Sequence, residues 1–222
     1  MYLKYLFSRV NALGGVIIKM EPGLTTTAGL AGVVSPAKQI LGMAQDRDVE
    51  DAEILAVVNC TGLTAREFAS EKEKEKLFPI RGQTILVKGE AKMARTFTDF
   101  GISDEISYVI PRPGSGTTIL GGCKQKGNDS SEIDEELSER ILGRIKDWGL
   151  AEELRTGEGS EFEVLSTQVG FRPGRTGGPR VEVEGGKVDG VNVVHSYGHA
   201  GAGYQNSVGS AKKVVKLIES LS

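Results

Sequence analysis

Residues 191–221 read VNVVHSYGHAGAGYQNSVGSAKKVVKLIESL, and the fold class follows from how this stretch changes along its length. It opens on Val191, Val193 and Val194, an apolar run short enough for a buried strand. Gly198, Gly201 and Gly203 follow among small residues. Ala211, Val214, Val215, Ile218 and Leu221 then recur at three and four residues, one apolar helical stripe, with Lys212, Lys213 and Lys216 on the other face. A strand that hands over to a helix through glycines leaves N–H groups free at the positive end of a helix dipole. Such a turn suits an electron-rich ligand. The GAG at 201–203 lacks the further glycine of a dinucleotide fingerprint and does not open a βαβ unit, so spacing alone leaves the ligand unspecified.

Similar units stand upstream. Leu3, Leu6, Phe7, Val10 and Leu13 keep helical spacing, Gly14-Gly15 stops them, and Val16-Ile17-Ile18 reads as a buried strand. Residues 22–51 show no clear period and read as a loop or hairpin insertion. Residues 52–59, AEILAVVN, match a parallel strand covered on both faces. That run ends at Asn59-Cys60-Thr61-Gly62. Ligands of open α/β sheets gather beyond strand carboxyl ends, which makes Thr61 and Gly62 candidates beside a plain strand-to-loop turn.

The middle of the chain differs. Residues 71–76 alternate in charge and read as a solvated linker. After Pro79 come short strands at 84–87, 107–111 and 117–120, with the turn Pro113-Gly114-Ser115-Gly116 between the last two. Residues 128–131 offer caps for a helix whose stripe is Leu137, Ile141, Ile145 and Trp148, stopped by Gly149. Residues 162–169 return to strand. The organisation is α/β, then antiparallel sheet, then α/β: an inserted domain.

Composition narrows the partners. The 222 residues carry 27 Lys plus Arg and 30 Asp plus Glu, a net charge of −3, which argues against nucleic acid as principal partner. Two cysteines, Cys60 and Cys123, build neither a disulfide framework nor a metal-type pair, so no metal and a reduced intracellular setting are expected. No apolar run approaches the ~20 residues of a membrane span. The chain ends Ser220-Leu221-Ser222, not the Ser-Lys-Leu of peroxisomal import.

Residues 170–180, GFRPGRTGGPR, read as a loop stiffened by proline, with Arg172, Arg175 and Arg180 packed into nine residues. Arginine suits bidentate recognition of a carboxylate or phosphate; pairing with Glu161, Glu163, Glu182 and Glu184 is the alternative. Tyr108 sits between apolar neighbours, where a tyrosine usually packs in a core. His195 and His199 straddle the glycine turn with no serine or cysteine nucleophile in a fitting place, so packing or backbone hydrogen bonding is their expected role.

Taken together, VVNCTG (57–62), PIRGQ (79–83), SYVIPR (107–112), LGG (120–122), VGFRPGR with GGPR (169–180) and HSYGHAGAGYQ (195–205) resemble, in order, the flavin-dependent D-amino-acid oxidase family with its D-aspartate oxidase branch. The opening helix YLKYLFSRVNALGG resembles it too. The resemblance implies α/β plus α+β architecture: a partial FAD-binding Rossmann-like domain, residues 1–70 and 173–222, with an inserted antiparallel-sheet substrate domain, residues 71–172. It implies Arg172 and Tyr108 on the substrate carboxylate and Gly201 on the substrate amino group. It further implies Gly201, Ala202, Gly203, Tyr204 and Gln205 against the flavin ring, and Thr61 on the cofactor.

The implied reaction is oxidative deamination of a D-amino acid, with FAD as cofactor and dioxygen as oxidant, giving a 2-oxo acid, ammonia and hydrogen peroxide. No residue acts as acid or base. A homodimer and a peroxisomal or cytoplasmic location are compatible with it. Two departures stand out. Residues 89–107 contain no second tyrosine to match the family's lid, and no glycine fingerprint matches its adenine-dinucleotide half. The expectation is an N-terminally truncated form that retains FAD weakly or not at all. The alternatives are a non-enzymatic remnant and an oxidase of secondary or N-methylated amino acids. An acidic substrate would need a further cation, and Arg95, Lys124 and Lys126 are the candidates that sequence does not place.

Overall fold

The computed structural model describes residues 2–19, 29–45, 54–98, 104–156 and 161–221. In chain order the strands are β1 (Ala56–Asn59), β2 (Leu77–Lys88), β3 (Arg95–Phe97), β4 (Glu105–Arg112), β5 (Thr117–Cys123), β6 (Gln125–Lys126), β7 (Val164–Arg175), β8 (Arg180–Val183) and β9 (Asn192–Tyr197). The helices are α1 (Tyr2–Ala12), α2 (Ala31–Gln45), α3 (Ala65–Phe68), α4 (Glu71–Lys74), α5 (Glu135–Asp147) and α6 (Gly203–Glu219).

Val193 and Val194 are buried in β9, the centre of a sheet ordered β1-β9-β8. β1 runs parallel to β9, with Asn59 opposite His195, and β8 runs antiparallel. Both β1 and β9 therefore deliver their carboxyl ends to the same side. β1 is shorter than residues 52–59, and Val58 is exposed, so that strand is not covered on both faces as expected. α6 begins at Gly203 and buries Val214, while Val215 points outward.

The second sheet runs β3-β4-β5-β2-β6, with β7 on the free side of β2. β4 and β5 form the expected hairpin across residues 113–116. One face of this sheet carries Ile85, Val87, Val109 and Leu120 and packs on Leu137, Ile141 and Ile145 of α5. Each such side chain contributes roughly 1.5–3 kcal/mol when fully buried. The helix cap is Asp134, whose Oδ1 accepts from Leu137 N at 2.9 Å, rather than a residue of 128–131. Those residues are bound by Arg81 instead, which is buried and donates from Nε to Ser130 O at 2.9 Å. Gln83 completes the attachment, exchanging hydrogen bonds with the backbone of Asp134 at 2.7 and 3.0 Å. Gly149 has φ +57, the left-handed turn that ends the helical run.

Several expectations from the sequence change. Val16, Ile17 and Ile18 form no strand and are exposed, because no described strand lies beside them to take their hydrogen bonds. α1 exists but buries none of its stripe. Residues 31–45 are helical despite Pro36, while the rest of the stretch 22–51 lies largely outside the described residues. Residues 71–76 are no simple linker: Glu73 on α4 is buried and paired. Residues 170–175 are not loop but the end of β7, which pairs with β2 back to Leu77. Pro173 faces Pro79 across that pair, so neither missing N–H breaks the pairing.

Candidate functional site

Tyr108 and Arg172 finish on one face of the larger sheet. Tyr108 pairs with Gly121, Gly121 with Thr84, and Gly82 stands two residues before Thr84. On the far side Ile80 pairs with Arg172 and Gly82 with Gly170. Alternation along each strand therefore aims Tyr108 and Arg172 away from α5, above Gly121 and Gly82. Arg172 donates from Nη1 to the Cys123 carbonyl at 3.1 Å. Its charge also acts on the Tyr108 hydroxyl. Burial pushes the Tyr108 pKa up and outweighs that charge, so the phenol stays protonated as a donor at neutral pH.

The three clustered arginines separate here. Arg175 is spent on Glu73 and Arg180 on Glu182 and Glu184. Pairing with nearby glutamates, one of the two readings of the cluster, thus holds for Arg180. Arg175 reaches instead to α4. Arg172 joins no ion pair among the described residues, which leaves its fork available for a carboxylate.

The glycine turn comes to the same place. A Cβ on Gly201 would stand 3.5 Å from Cδ of Arg172, so the turn lies against the arginine's stem. Ala200 takes φ +49 and Ala202 caps α6 without a side-chain hydrogen bond. Gly201, Gly203, Tyr204 and Gln205 are exposed, and nothing lies within 4 Å of where a Gly203 Cβ would be. An uncapped helix start with small residues fits the electron-rich edge of a flat ring. Tyr204 turns elsewhere, its ring 6.1 Å from that of Tyr2. Thr61 sits at the neighbouring strand end, where its N and Oγ1 donate to Asn59 Oδ1 at 3.2 and 2.7 Å. It belongs to the turn's side of the site rather than to the clamp.

His195 does not reach the clamp. It is buried between Asn59 Nδ2, at 3.3 Å from Nδ1, and Glu184 Oε2, at 2.9 Å from Nε2. His199 reaches Ser210 Oγ at 2.9 Å. His195 packs as expected, buried and edge-on to the Tyr197 ring at 5.5 Å, and both histidines also take side-chain partners where backbone ones were the other expectation. Asn59, Glu73, Arg180, Glu184, His195 and Tyr197 line a cavity of about 570 Å³ away from the clamp. Its glutamates are paired: Glu73 with Arg175 and Lys76, Glu184 with Arg180 and His195. The cluster braces strands and leaves no free charge among these groups for chemistry.

Of the candidate cations for an acidic substrate, Arg95 donates to the Leu150 carbonyl and pairs with Glu153 at 3.6 Å. Lys126 places its ammonium 4.4 Å over the Phe78 ring, and Lys124 is exposed. Among the described residues no group of His, Cys, Asp and Glu could hold a metal ion, and no helix is long and apolar enough to cross a membrane. The places of Gly82 and Gly121 under Arg172 and Tyr108, and the Cys123 carbonyl as acceptor of Arg172, are not foreseen from the sequence. Glycines inside strands were the available clue, since they weaken a strand unless something approaches closely.

Residues 1–217 match the family model of FAD dependent oxidoreductases. The D-amino-acid oxidase of Schizosaccharomyces pombe is 37% identical over 188 residues, 84% of this chain and 52% of that protein. A D-aspartate oxidase of Talaromyces thermophilus is 37% identical over 175 residues, 76% of this chain and 42% of that protein. The chain thus spans about half the length of the curated relatives it matches. Among solved structures, glycine oxidase from Bacillus cereus shares the fold at TM-score 0.57 and 20% identity, over 75% of this chain and 43% of that one. The chain belongs to the FAD dependent oxidoreductase family and is similar to D-amino-acid and D-aspartate oxidases.

Proposed function

We propose that this chain carries the substrate clamp and flavin-ring seat of a D-amino-acid oxidase. One observation carries the reading: Arg172 stands beside Gly201 and acts with its charge on Tyr108, while Arg175 and Arg180 are spent on glutamates. The overall reaction takes a D-amino acid, dioxygen and water to a 2-oxo acid, ammonium and hydrogen peroxide. Bound FAD supplies the two-electron acceptor. Arg172 grips the α-carboxylate through its fork and Tyr108 donates a further hydrogen bond, which fixes the direction of the α-hydrogen. The Gly201 backbone meets the amino group. The N–H groups at the start of α6, with Ala202, Gly203, Tyr204 and Gln205, favour negative charge on the ring edge, and Thr61 supports the cofactor from β1. No side chain need act as acid or base. Residues 1–70 and 173–222 form the flavin side and residues 71–172 the substrate side.

Neutral substrates are the proposed class. Leu86, Ile110 and Ile119 share the clamp's sheet face by register and alternation, and Arg95 is committed to Glu153 and Leu150. No glycine-rich phosphate cradle accompanies the ring seat among the described residues, so the assay supplies FAD in excess. The test is peroxide release with D-alanine, D-aspartate and N-methylglycine, alongside the visible absorption of the protein with flavin. D-Alanine should be oxidised fastest, and Arg172→Ala should lower kcat/KM by about 10² to 10³-fold. Equal turnover by Arg172→Ala would refute the assignment.

A further inference from the structure

We infer that Gly82, Gly121 and Gly122 are positioning residues for the carboxylate clamp, an inference that rests on the function proposed above. A Cβ built on Gly82 would stand 2.5 Å from Nη1, 2.8 Å from Nη2 and 2.9 Å from Cζ of Arg172. The guanidinium thus lies flat on the backbone of the neighbouring strand. A Cβ on Gly121 would overlap the Tyr108 ring, and one on Gly122 would stand 2.7 Å from the Tyr108 hydroxyl and 2.7 Å from the Gln83 carbonyl. The phenol is laid over its glycines as the guanidinium is laid over Gly82. Three glycines on two adjacent strands make a floor, and both donors rest on it.

The floor does more than admit the side chains. Pressed against Gly82, Arg172 brings Nη1 to 3.1 Å from the Cys123 carbonyl. That bond fixes the plane of the fork, whose charge is felt at the Tyr108 hydroxyl. A methyl at position 82 would have to sit near 3.4–4 Å from its neighbours to be in ordinary contact. The guanidinium would rise by about 1 Å, and a displacement of that size at an orienting group costs on the order of 10²-fold in rate. The guanidinium is the far end of a flexible side chain, so rising costs the fold little. Arg81 and Gln83 point to the opposite face and hold the segment before α5, so the alternation within PIRGQ separates a structural pair from a positioning glycine.

Gly170 supplies the control. It pairs with Gly82 on the same face, yet nothing lies within 4 Å of where its Cβ would be. The experiment measures propionate binding to the whole chain by titration calorimetry, with kcat and KM on D-alanine in excess FAD. Variants are Gly82→Ala, Gly121→Ala, Gly170→Ala, Arg172→Ala and the double variant Gly82→Ala with Arg172→Ala. Gly82→Ala should keep a cooperative melt while the propionate Kd rises about 10-fold and kcat/KM falls about 100-fold. Gly121→Ala should weaken propionate binding through Tyr108, and Gly170→Ala should match the parent. In the Arg172→Ala background the Gly82 change should have no further effect.

Parent-like propionate binding by Gly82→Ala would overturn the inference, as would an equal loss in the Arg172→Ala background. Unfolding of Gly82→Ala would overturn it too, since the overlap would then not be confined to a movable guanidinium. Propionate binding that survives Arg172→Ala would instead remove the clamp itself, and with it the proposed function.

Discussion

Glu73 on α4 binds Arg175 of β7 by two hydrogen bonds, with Nε donating to Oε1 at 2.6 Å and Nη2 to Oε2 at 3.1 Å. The same Oε1 accepts from the Tyr197 hydroxyl at 3.3 Å, so one carboxylate ties α4 to both sheets. Arg175 in turn lies under the glycine turn: a Cβ on Gly198, where φ is +80, would stand 2.8 Å from the Arg175 Cβ. The charge pair thus supports the turn that meets the clamp.

Burial pushes the Glu73 carboxyl up, but hydrogen bonds from Arg175 and Lys76 outweigh it and hold the pKa at about 2. A carboxylate depressed from 4.5 contributes stability at neutral pH, about 3 kcal/mol here, that disappears as pH falls from 4.5 toward 2. Glu73→Gln should cost about 3 kcal/mol at pH 7, and the difference should close in acid. Urea unfolding across that range measures it; a gap that stays constant with pH would contradict the pairing.

His195 titrates with the same sign at higher pH. Burial pushes its pKa below 6.5 and Arg180 adds to this, while Glu184 and Glu182 oppose. The folded state then binds fewer protons than the unfolded chain, so stability is full above 6.5 and falls as pH drops below it. His199, also lowered by burial, adds to the slope. His195→Gln should flatten part of the fall in unfolding midpoint between pH 7.5 and 5; an unchanged slope would place the proton uptake elsewhere.

At the clamp, Arg172→Ala should lower kcat/KM for D-alanine by about 10² to 10³-fold, as expected for breaking a desolvated charge contact worth roughly 2–5 kcal/mol. Tyr108→Phe removes one neutral donor and should cost only about 3- to 10-fold. Initial rates of peroxide formation in excess FAD decide both. A larger loss for Tyr108→Phe than for Arg172→Ala would reverse the assigned roles.

Ile141 is fully buried between α5 and the larger sheet. Ile141→Ala should destabilise the protein by about 2–5 kcal/mol through lost burial and the cavity left behind. Denaturant unfolding followed by circular dichroism checks it. A loss under about 1 kcal/mol would mean that the helix is not seated on the sheet in this way.

Where neighbours in sequence are neighbours in space, the sequence was legible. β9, its glycine turn and α6 follow from residues 191–221, and the β4–β5 hairpin from the turn at 113–116. Leu137, Ile141 and Ile145 declared the buried face of α5 by spacing alone. The apolar run Val16-Ile17-Ile18 did not become a strand, since apolarity reports a tendency to be buried and says nothing of whether a partner strand is present. Pro173 and Gly174 looked like loop residues, and pairing with β2 at the sheet's free side overrode that local preference.

The sequence by itself determined the types of most of the main elements and, through resemblance, singled out Tyr108, Arg172 and Gly201 as candidates. Only the tertiary structure decided which of three adjacent arginines faces the site. Arg175 and Arg180 found carboxylates on other elements, and Arg172 found a bare glycine floor and a tyrosine from a strand 64 residues earlier. Spacing along a chain fixes which face a side chain takes. What stands on that face is fixed by strand register, which joins residues that no local pattern connects.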